Sequence, residues 1–138
     1  MLSRLVERVS YARRLDKIMI ATTTMAEDDA LEDLSRELDV ECFRGSPDDV
    51  LGRVKAAALA TGAGVVATIL GDNPLVHSNL IDDTIGLFEE GSFDYTASVT
   101  TEYPSAGSDI GKFPIGIRVQ VFSIDTIEKA DRMAEGRR

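Results

Sequence analysis

Two acidic turns carry the residues of this chain whose types and spacing could do chemistry. The first is Phe43-Arg44-Gly45-Ser46-Pro47-Asp48-Asp49-Val50-Leu51, and the second is Leu70-Gly71-Asp72-Asn73-Pro74-Leu75. Each follows an apolar segment and carries carboxylates that a hydrophobic core would not tolerate. Ligands of open α/β sheets bind outside the carboxyl ends of the strands. The sequence therefore predicts a metal or substrate site at these turns.

Helical and strand patterns alternate along the chain. Apolar residues recur at helical spacing from Leu2 to Ala12, which predicts a first helix of about four turns. Val65–Leu70 is apolar except at Thr68, as expected for a parallel strand covered on both faces. The other predicted strands are Lys17–Thr22, Val40–Phe43, Tyr95–Val99 and Ile117–Phe122. The other predicted helices are one that opens at Thr24–Glu27 and carries Leu31, Leu34 and Leu38 on one face, one that ends at Gly62, one over Ser78–Glu90 and one after Ser123. This alternation indicates right-handed βαβ crossovers and a mostly parallel sheet.

Capping residues mark several helix ends. Thr24-Met25-Ala26-Glu27 fits a capping box. Ser46-Pro47-Asp48-Asp49 predicts an N-cap, a proline at the first helical position and carboxylates that face the positive end of the helix. Gly62 is expected to stop that helix, and His77 to be a polar turn residue before the next one.

Length, charge and cysteine content limit the classes of function. The 138 residues fit one domain, 1–138, with a sizeable core. The net charge of −9 argues against binding to nucleic acid or to an anionic membrane. No apolar run approaches the roughly 20 residues of a membrane span, and the amphipathic N-terminus does not resemble a signal peptide, so we expect a cytoplasmic protein. The single cysteine, Cys42, excludes an internal disulfide and predicts a buried structural thiol.

Two familiar signatures of nucleotide binding are missing from the sequence. There is no G-x-G-x-x-G motif and no P-loop. The chain begins with a helix, whereas α/β nucleotide-binding domains usually begin with a strand whose following loop cradles phosphate. The segment from Thr100 to Gly116 has no apolar period and is expected to be either an active-site loop or a disordered excursion.

Several short motifs follow one another in a fixed order over nearly the whole chain. They are Ile20-Ala21-Thr22-Thr23, Glu27-Asp28-Asp29, Phe43-Arg44-Gly45-Ser46 with Asp48-Asp49-Val50-Leu51, Gly71-Asp72 with Pro74-Leu75, Leu80-Ile81, and Val119 to Phe122. Their order resembles the cytidylyltransferases that activate sugar acids, in particular the spore-coat polysaccharide and acylneuraminate cytidylyltransferase-like branch. The resemblance implies a three-layer, Rossmann-like α/β fold of the nucleotide-diphospho-sugar transferase kind, with a mostly parallel sheet flanked by helices. Members of the family open with a strand and a triphosphate-binding loop, so we expect this fold to be truncated at the N-terminus.

The resemblance implies cytidylyl transfer from CTP to a sugar acid, for the synthesis of surface polysaccharide. A sugar hydroxyl would attack the α-phosphate of CTP in line, and pyrophosphate would leave. Asp72 matches the family aspartate that binds Mg²⁺ near the α-phosphate, and one carboxylate suffices for an ion that keeps several waters. The residues themselves also allow Asp72 to form an Asx turn with Asn73-Pro74, and both readings stay open.

Four further residues are candidates for substrate binding. Arg44 matches a family residue beside the cytosine base, although it could instead pair with Asp48 or Asp49. Thr22 lies where relatives place substrate-facing backbone, although it could serve only as a cap. Lys112 and Arg118 could supply positive charge to an anionic sugar. The acidic residues Glu27, Asp28 and Asp29 are expected to be charges of a first helical turn, without a catalytic role.

Departures from the family pattern leave three hypotheses. Pro114-Ile115-Gly116-Ile117-Arg118 stands where relatives commonly show Pro-Asp-Gly-hydrophobic-Asp, so two acidic positions are absent. The chain could be an active cytidylyltransferase, a catalytically degenerate member that oligomerises or binds a partner, or an unrelated α/β binding module of flavodoxin-like order. Because the absent first strand is central in the related fold, its neighbours would keep unpaired backbone, and we expect a homo-oligomer.

Overall fold

The computed structural model describes residues 1–98 and 116–135. Its elements are α1 (Leu2–Val9), β1 (Met19–Thr23), a 3₁₀ turn (Ala26–Asp28), α2 (Asp29–Glu37), β2 (Glu41–Gly45), α3 (Val50–Thr61), β3 (Val65–Ile69), α4 (Ser78–Glu90), β4 (Tyr95–Ala97), β5 (Val119–Ser123) and α5 (Ile124–Glu135). The expected α/β class, with parallel strands and flanking helices, is confirmed. The chain forms two compact units: a first unit of Met1–Asp16 with Ala67–Phe122, and a second unit of Lys17–Val66 with the segment from Ser123 onward.

The second unit is built on the parallel pair β1–β2. The strands align from Met19 opposite Glu41 to Thr23 opposite Gly45. Helices α2 and α3 pack on the pair, and α5 packs on α3. The buried apolar side chains of this unit are Ile20, Ala57, Ala58 and Ile127. The carboxyl ends of β1 and β2 therefore lie side by side, as parallel pairing requires.

The first unit contains β4, which pairs with β5 in antiparallel register. β5 lies between β3 and β4 in a three-stranded sheet. Helix α4 packs on β4, and α1 packs on α4. Val76, Ile81, Val119 and Val121 are fully buried in this unit.

Two expectations about element length and burial are wrong. Helix α1 ends at Val9 rather than continuing through Ala12. The backbone N–H groups of Arg13 and Arg14 instead donate to Asp82 of α4, at 2.9 and 3.0 Å, so a tertiary contact replaces further helical turns. Strand β3 is not buried on both faces, because Val65 is 43% exposed and the other strand residues are half-buried.

Two expected caps are also replaced. The Thr24–Glu27 capping box does not form: the 3₁₀ turn follows Met25 without a side-chain cap, and α2 begins only at Asp29. Asp49, rather than Ser46, is the N-cap of α3 and accepts the N–H of Gly52 at 2.9 Å. Ser46 instead accepts the N–H groups of Asp48 and Asp49, so it shapes the turn before the helix. Gly62 ends α3 with a φ of 69°, which confirms the expected stop.

Candidate functional site

The carboxyl end of β1 is organised by the Asp28 carboxylate. Its Oδ2 atom accepts the hydroxyl of Thr22 at 2.8 Å, the backbone N–H of Thr23 at 3.0 Å and the hydroxyl of Thr23. These hydrogen bonds lower the pKa of Asp28 because they stabilise its ionised form, and the bond from the Thr23 hydroxyl has the largest effect. Asp28 is therefore more than a charge of a first helical turn. The hydroxyl of the buried Thr22 is directed to it, and contact between Thr22 and a substrate stays a prediction.

Arg44 holds the same turn from the neighbouring strand. It lies opposite Thr22 in the β1–β2 register. Its Nε donates to the carbonyl of Thr23 at 2.9 Å, and its Nη2 donates to the carbonyl of Met25 at 2.7 Å. Hydrogen bonds at both its N–H and its C=O therefore fix the position of Thr23.

The carboxylates that Arg44 meets are not the expected Asp48 or Asp49. Its Nη1 lies 2.6 Å from Asp29 and 3.1 Å from Glu32, both in α2. The reason is the parallel register, which sets Arg44 beside the end of β1 and the helix that follows it. A role for Arg44 in contacting the base or a phosphate stays a prediction.

The second candidate region is the turn that follows β3. The carbonyl of Leu70 accepts the N–H of Asn73 at 3.0 Å, and the carbonyl of Asn73 accepts the N–H of Val76 at 3.3 Å. Asn73 is buried at 5% exposure, whereas Asp72 is exposed. Within the described part of the chain the Asp72 carboxylate accepts no hydrogen bond, so the alternative of an Asx turn formed by Asp72 is wrong. Because Asp72 is exposed, a ligand could reach its carboxylate.

The donor set at Asp72 fits Mg²⁺ only if a substrate completes the coordination shell. No group of three or more His, Cys, Asp or Glu side chains that could hold a metal occurs in residues 1–98 and 116–135. Mg²⁺ is commonly bound through one or two carboxylates together with waters and substrate phosphates. The exposed Asp72 carboxylate could supply one such ligand.

Arg8 is a residue that sequence reasoning missed in this region. From α1, its Nε donates to the carbonyl of Val76 at 2.9 Å, and its Nη2 donates to the carbonyl of Leu75 at 3.3 Å. The acceptors are backbone atoms far away in the sequence, so no local motif could have pointed to the contact. We call this pair of hydrogen bonds the Arg8 clamp.

The remaining candidates are spread over the chain. Thr22 and Arg44 belong to the second unit, and Asp72 and Arg118 belong to the first. Arg118 is half-buried just before β5, while Lys112 lies outside the described residues, as does most of the segment from Thr100 to Gly116.

Gly116 has a φ of 88°, and a Cβ atom placed on it would lie 3.7 Å from Asn73 Oδ1. The segment just before β5 therefore runs close to the Asp72 turn.

His77 takes the structural role expected for it, whereas Cys42 is less buried than expected. His77 is the N-cap of α4, and its Nδ1 accepts the N–H of Asn79 at 3.2 Å. Cys42 is half-buried in β2, and burial raises the pKa of its thiol.

The family model of the cytidylyltransferases matches residues 1–110, a span that includes both acidic turns. The chain belongs to the cytidylyltransferase family. An uncharacterized protein of Methanocaldococcus jannaschii is 34% identical over 131 residues, covering 95% of this chain and 49% of that protein. The spore coat polysaccharide biosynthesis protein SpsF of Bacillus subtilis is 37% identical over 101 residues, covering 70% of this chain and 42% of that protein.

Solved cytidylyltransferases share the fold. A cytidylyltransferase of Leptospira borgpetersenii superposes with a TM-score of 0.81 at 24% identity, covering 95% of this chain and 52% of that one. CMP:2-keto-3-deoxy-manno-octonic acid synthetase, in complex with CTP, superposes with a TM-score of 0.69 at 10% identity, covering 95% of this chain and 66% of that one. This member of the family thus spans about half the length of the curated relatives it matches.

Among the helices of residues 1–98 and 116–135, none has the length and apolar character that a membrane span requires.

Proposed function

We propose that this chain takes part in the transfer of a cytidylyl group from CTP to a sugar acid, in the synthesis of a surface polysaccharide. The observation that carries the proposal is the family match over residues 1–110, which spans the turns of Arg44 and Asp72. The names of two similar proteins support the substrates: one is a spore coat polysaccharide biosynthesis protein, and the other is a CMP-sugar-acid synthetase in complex with CTP. In the reaction a sugar hydroxyl bonds to the α-phosphorus as the bond to pyrophosphate breaks.

Asp72 is proposed as the protein ligand of Mg²⁺. Its carboxylate is exposed after β3 and accepts no hydrogen bond from the described residues. When bound, Mg²⁺ would neutralise charge on the phosphates of CTP and on the leaving pyrophosphate. Arg118 and Lys112 are proposed to attract the sugar carboxylate. Thr22 and Arg44 are proposed to bind the substrate, with Arg44 contacting the cytosine base or a phosphate.

The test is pyrophosphate release by the purified chain with CTP, Mg²⁺ and a panel of sugar acids. We expect turnover with at least one acid, and a loss of about 100-fold or more in Asp72→Asn, because metal stabilisation contributes several kcal/mol. Asp83→Asn, another exposed aspartate of the first unit, is the matched control and should keep the wild-type rate. Absence of both turnover and Mg²⁺-dependent CTP binding in the wild type would reject the proposal.

A catalytically degenerate, partner-binding member of the family is the second candidate. It is favoured by the internal use of two candidate ligands: Thr22 donates to Asp28, and Arg44 is engaged by Asp29 and Glu32. Calorimetry separates the two candidates. Heat that depends on both CTP and Mg²⁺ argues for the enzyme, and its absence from the folded chain argues for the degenerate member.

The proposal includes a cytoplasmic homodimer. Among the described residues β1 has β2 as its only hydrogen-bonded neighbour, so one edge of β1 keeps unpaired backbone groups. Pairing across two copies would satisfy those groups. Light scattering should give twice the monomer mass, and a monomer at every concentration would contradict this expectation.

A further inference from the structure

We propose that Arg8 is the positioning residue of the Asp72 turn and that Mg²⁺-dependent binding of CTP depends on it. The binding part of this inference rests on the proposed function, because it takes Asp72 as the Mg²⁺ ligand. The positioning part stands on hydrogen bonds within the first unit alone.

The Arg8 clamp reaches the Asp72 turn through the backbone. Arg8 donates to the carbonyls of Leu75 and Val76, at 3.3 and 2.9 Å. The N–H of Val76 donates to the carbonyl of Asn73, and the N–H of Asn73 donates to the carbonyl of Leu70. Asp72 therefore lies between backbone groups whose positions are set by two successive turns, and the clamp holds the far end of the second turn.

Buried apolar side chains hold both the helix that carries Arg8 and the segment that carries its acceptors. On α1, the neighbouring Leu5, Val6 and Val9 are buried, at 4, 7 and 8% exposure. At the other end, the Val76 side chain is fully buried at 0% exposure. A planar guanidinium can donate to two acceptors at once in a fixed geometry, which a lysine ammonium does not reproduce.

Among the described residues, no other side chain donates a hydrogen bond to the backbone of this turn. The Asp72 carboxylate accepts no hydrogen bond there, and Leu75 is 71% exposed. Arg8 forms no ion pair with the described residues, and its guanidinium donates to the two carbonyls of the clamp. Removing the guanidinium would leave those carbonyls without their donor, so that the turn would open more often.

The experiment compares Arg8→Met and Arg8→Lys with Arg4→Met. Arg4 lies on the same helix and, within residues 1–98 and 116–135, its ion pair is with the exposed Glu7, so Arg4→Met is the matched control. The first readout is amide hydrogen exchange at Asn73 and Val76, with the Val121 amide of β5 as a reference in the same unit. The second is Mg²⁺-dependent CTP binding by calorimetry.

In Arg8→Met we expect about tenfold faster exchange at Asn73 and Val76, and about tenfold weaker CTP binding, since residues that orient a metal ligand commonly contribute 10–100-fold. Arg8→Lys should fall between, and Arg4→Met should match the wild type in both readouts. Unchanged exchange at Asn73 and Val76, or an equal rise at Val121, would overturn the positioning role. If the wild type binds no CTP, the proposed function and the binding part fail together, while the exchange data still decide the positioning part.

Discussion

The Asp28 carboxylate accepts both the backbone N–H and the hydroxyl of Thr23. On the opposite side of the same residue, Arg44 donates to the Thr23 carbonyl at 2.9 Å. A cation and an anion from different elements thus fix the end of β1. The side chains that the sequence suggests for substrate binding are the ones that shape the backbone there.

The first prediction concerns Asp28 and pH. Hydrogen bonds from the Thr23 and Thr22 hydroxyls and the Thr23 N–H lower the folded-state pKa of Asp28, below its ordinary value near 3.9. Stabilisation by the ionised carboxylate is therefore complete above that ordinary value and is lost as the pH falls through the folded-state pKa. Asp28→Asn should remove this part of the acid sensitivity.

Urea unfolding at a series of pH values from neutral to strongly acidic checks this prediction. The wild type should lose more stability than Asp28→Asn as the pH falls below about 4. Parallel curves for the two proteins would mean that Asp28 does not contribute. Asp33→Asn, which removes an exposed helix carboxylate, is a control for general charge effects.

The second prediction concerns the ion pair that joins α3 and α5. Lys55 pairs with Asp131, whose side chain is only 6% exposed. Lys55→Met should cost about 2–3 kcal/mol of unfolding free energy, because it removes the paired cation from a buried carboxylate. Chemical denaturation provides the measurement.

A double variant separates the charge effect from packing. Lys55→Met with Asp131→Leu should recover much of the lost stability, because no buried charge remains. A single variant within about 0.5 kcal/mol of the wild type would contradict the prediction.

The third prediction concerns the end of α3. Gly62 has a φ of 69°, a conformation that residues with a Cβ atom rarely adopt, although the space around it is open. Gly62→Ala should therefore cost about 1 kcal/mol through backbone strain alone. Gly64, which has equally open space and no positive φ, is the matched control, and Gly64→Ala should change stability by less than about 0.5 kcal/mol. Equal losses in the two variants would rule out strain as the cause.

The fourth prediction concerns Gly45 at the end of β2. A Cβ atom there would lie 2.9 Å from Cγ of Arg53 and 3.2 Å from the Phe43 ring. The Arg53 contact involves the base of the side chain, which cannot swing away easily, so Gly45→Ala should cost about 1–2 kcal/mol. If the loss comes from this contact, Arg53→Ala should relieve most of it in the double variant. A loss that persists in the double variant would place its origin elsewhere.

Features decided by local sequence could be predicted, and features decided by distant partners could not. Gly62 stops α3 because its conformation is intrinsic to glycine, and the polar turns follow their strands as their composition indicates. The Thr24–Glu27 pattern failed as a cap because Asp28 bonds back to Thr22 and Thr23 of β1. The shortening of α1 depends on Asp82, a residue of another helix.

The residues of the candidate site also differ in whether local sequence or a distant partner decides their contacts. The exposed position of Asp72 could be predicted, because a carboxylate that follows an apolar strand is visible in the sequence, and its role as a metal ligand stays a prediction. The partners of Arg44 could not be predicted. Asp48 and Asp49 are nearer to it in the sequence, but the β1–β2 register places Arg44 beside Asp29 and Glu32. Arg8 carried no signal at all, because both of its acceptors are backbone carbonyls.

That choice of acceptors also has an evolutionary consequence. Every residue type presents a main-chain carbonyl, so substitutions at Leu75, whose side chain is 71% exposed, would leave its hydrogen bond to Arg8 intact. Positions 8 and 75 are therefore under no pressure to change together. Across homologues, we expect an arginine at position 8 to coexist with a varied residue at position 75, so that co-variation would not reveal this contact.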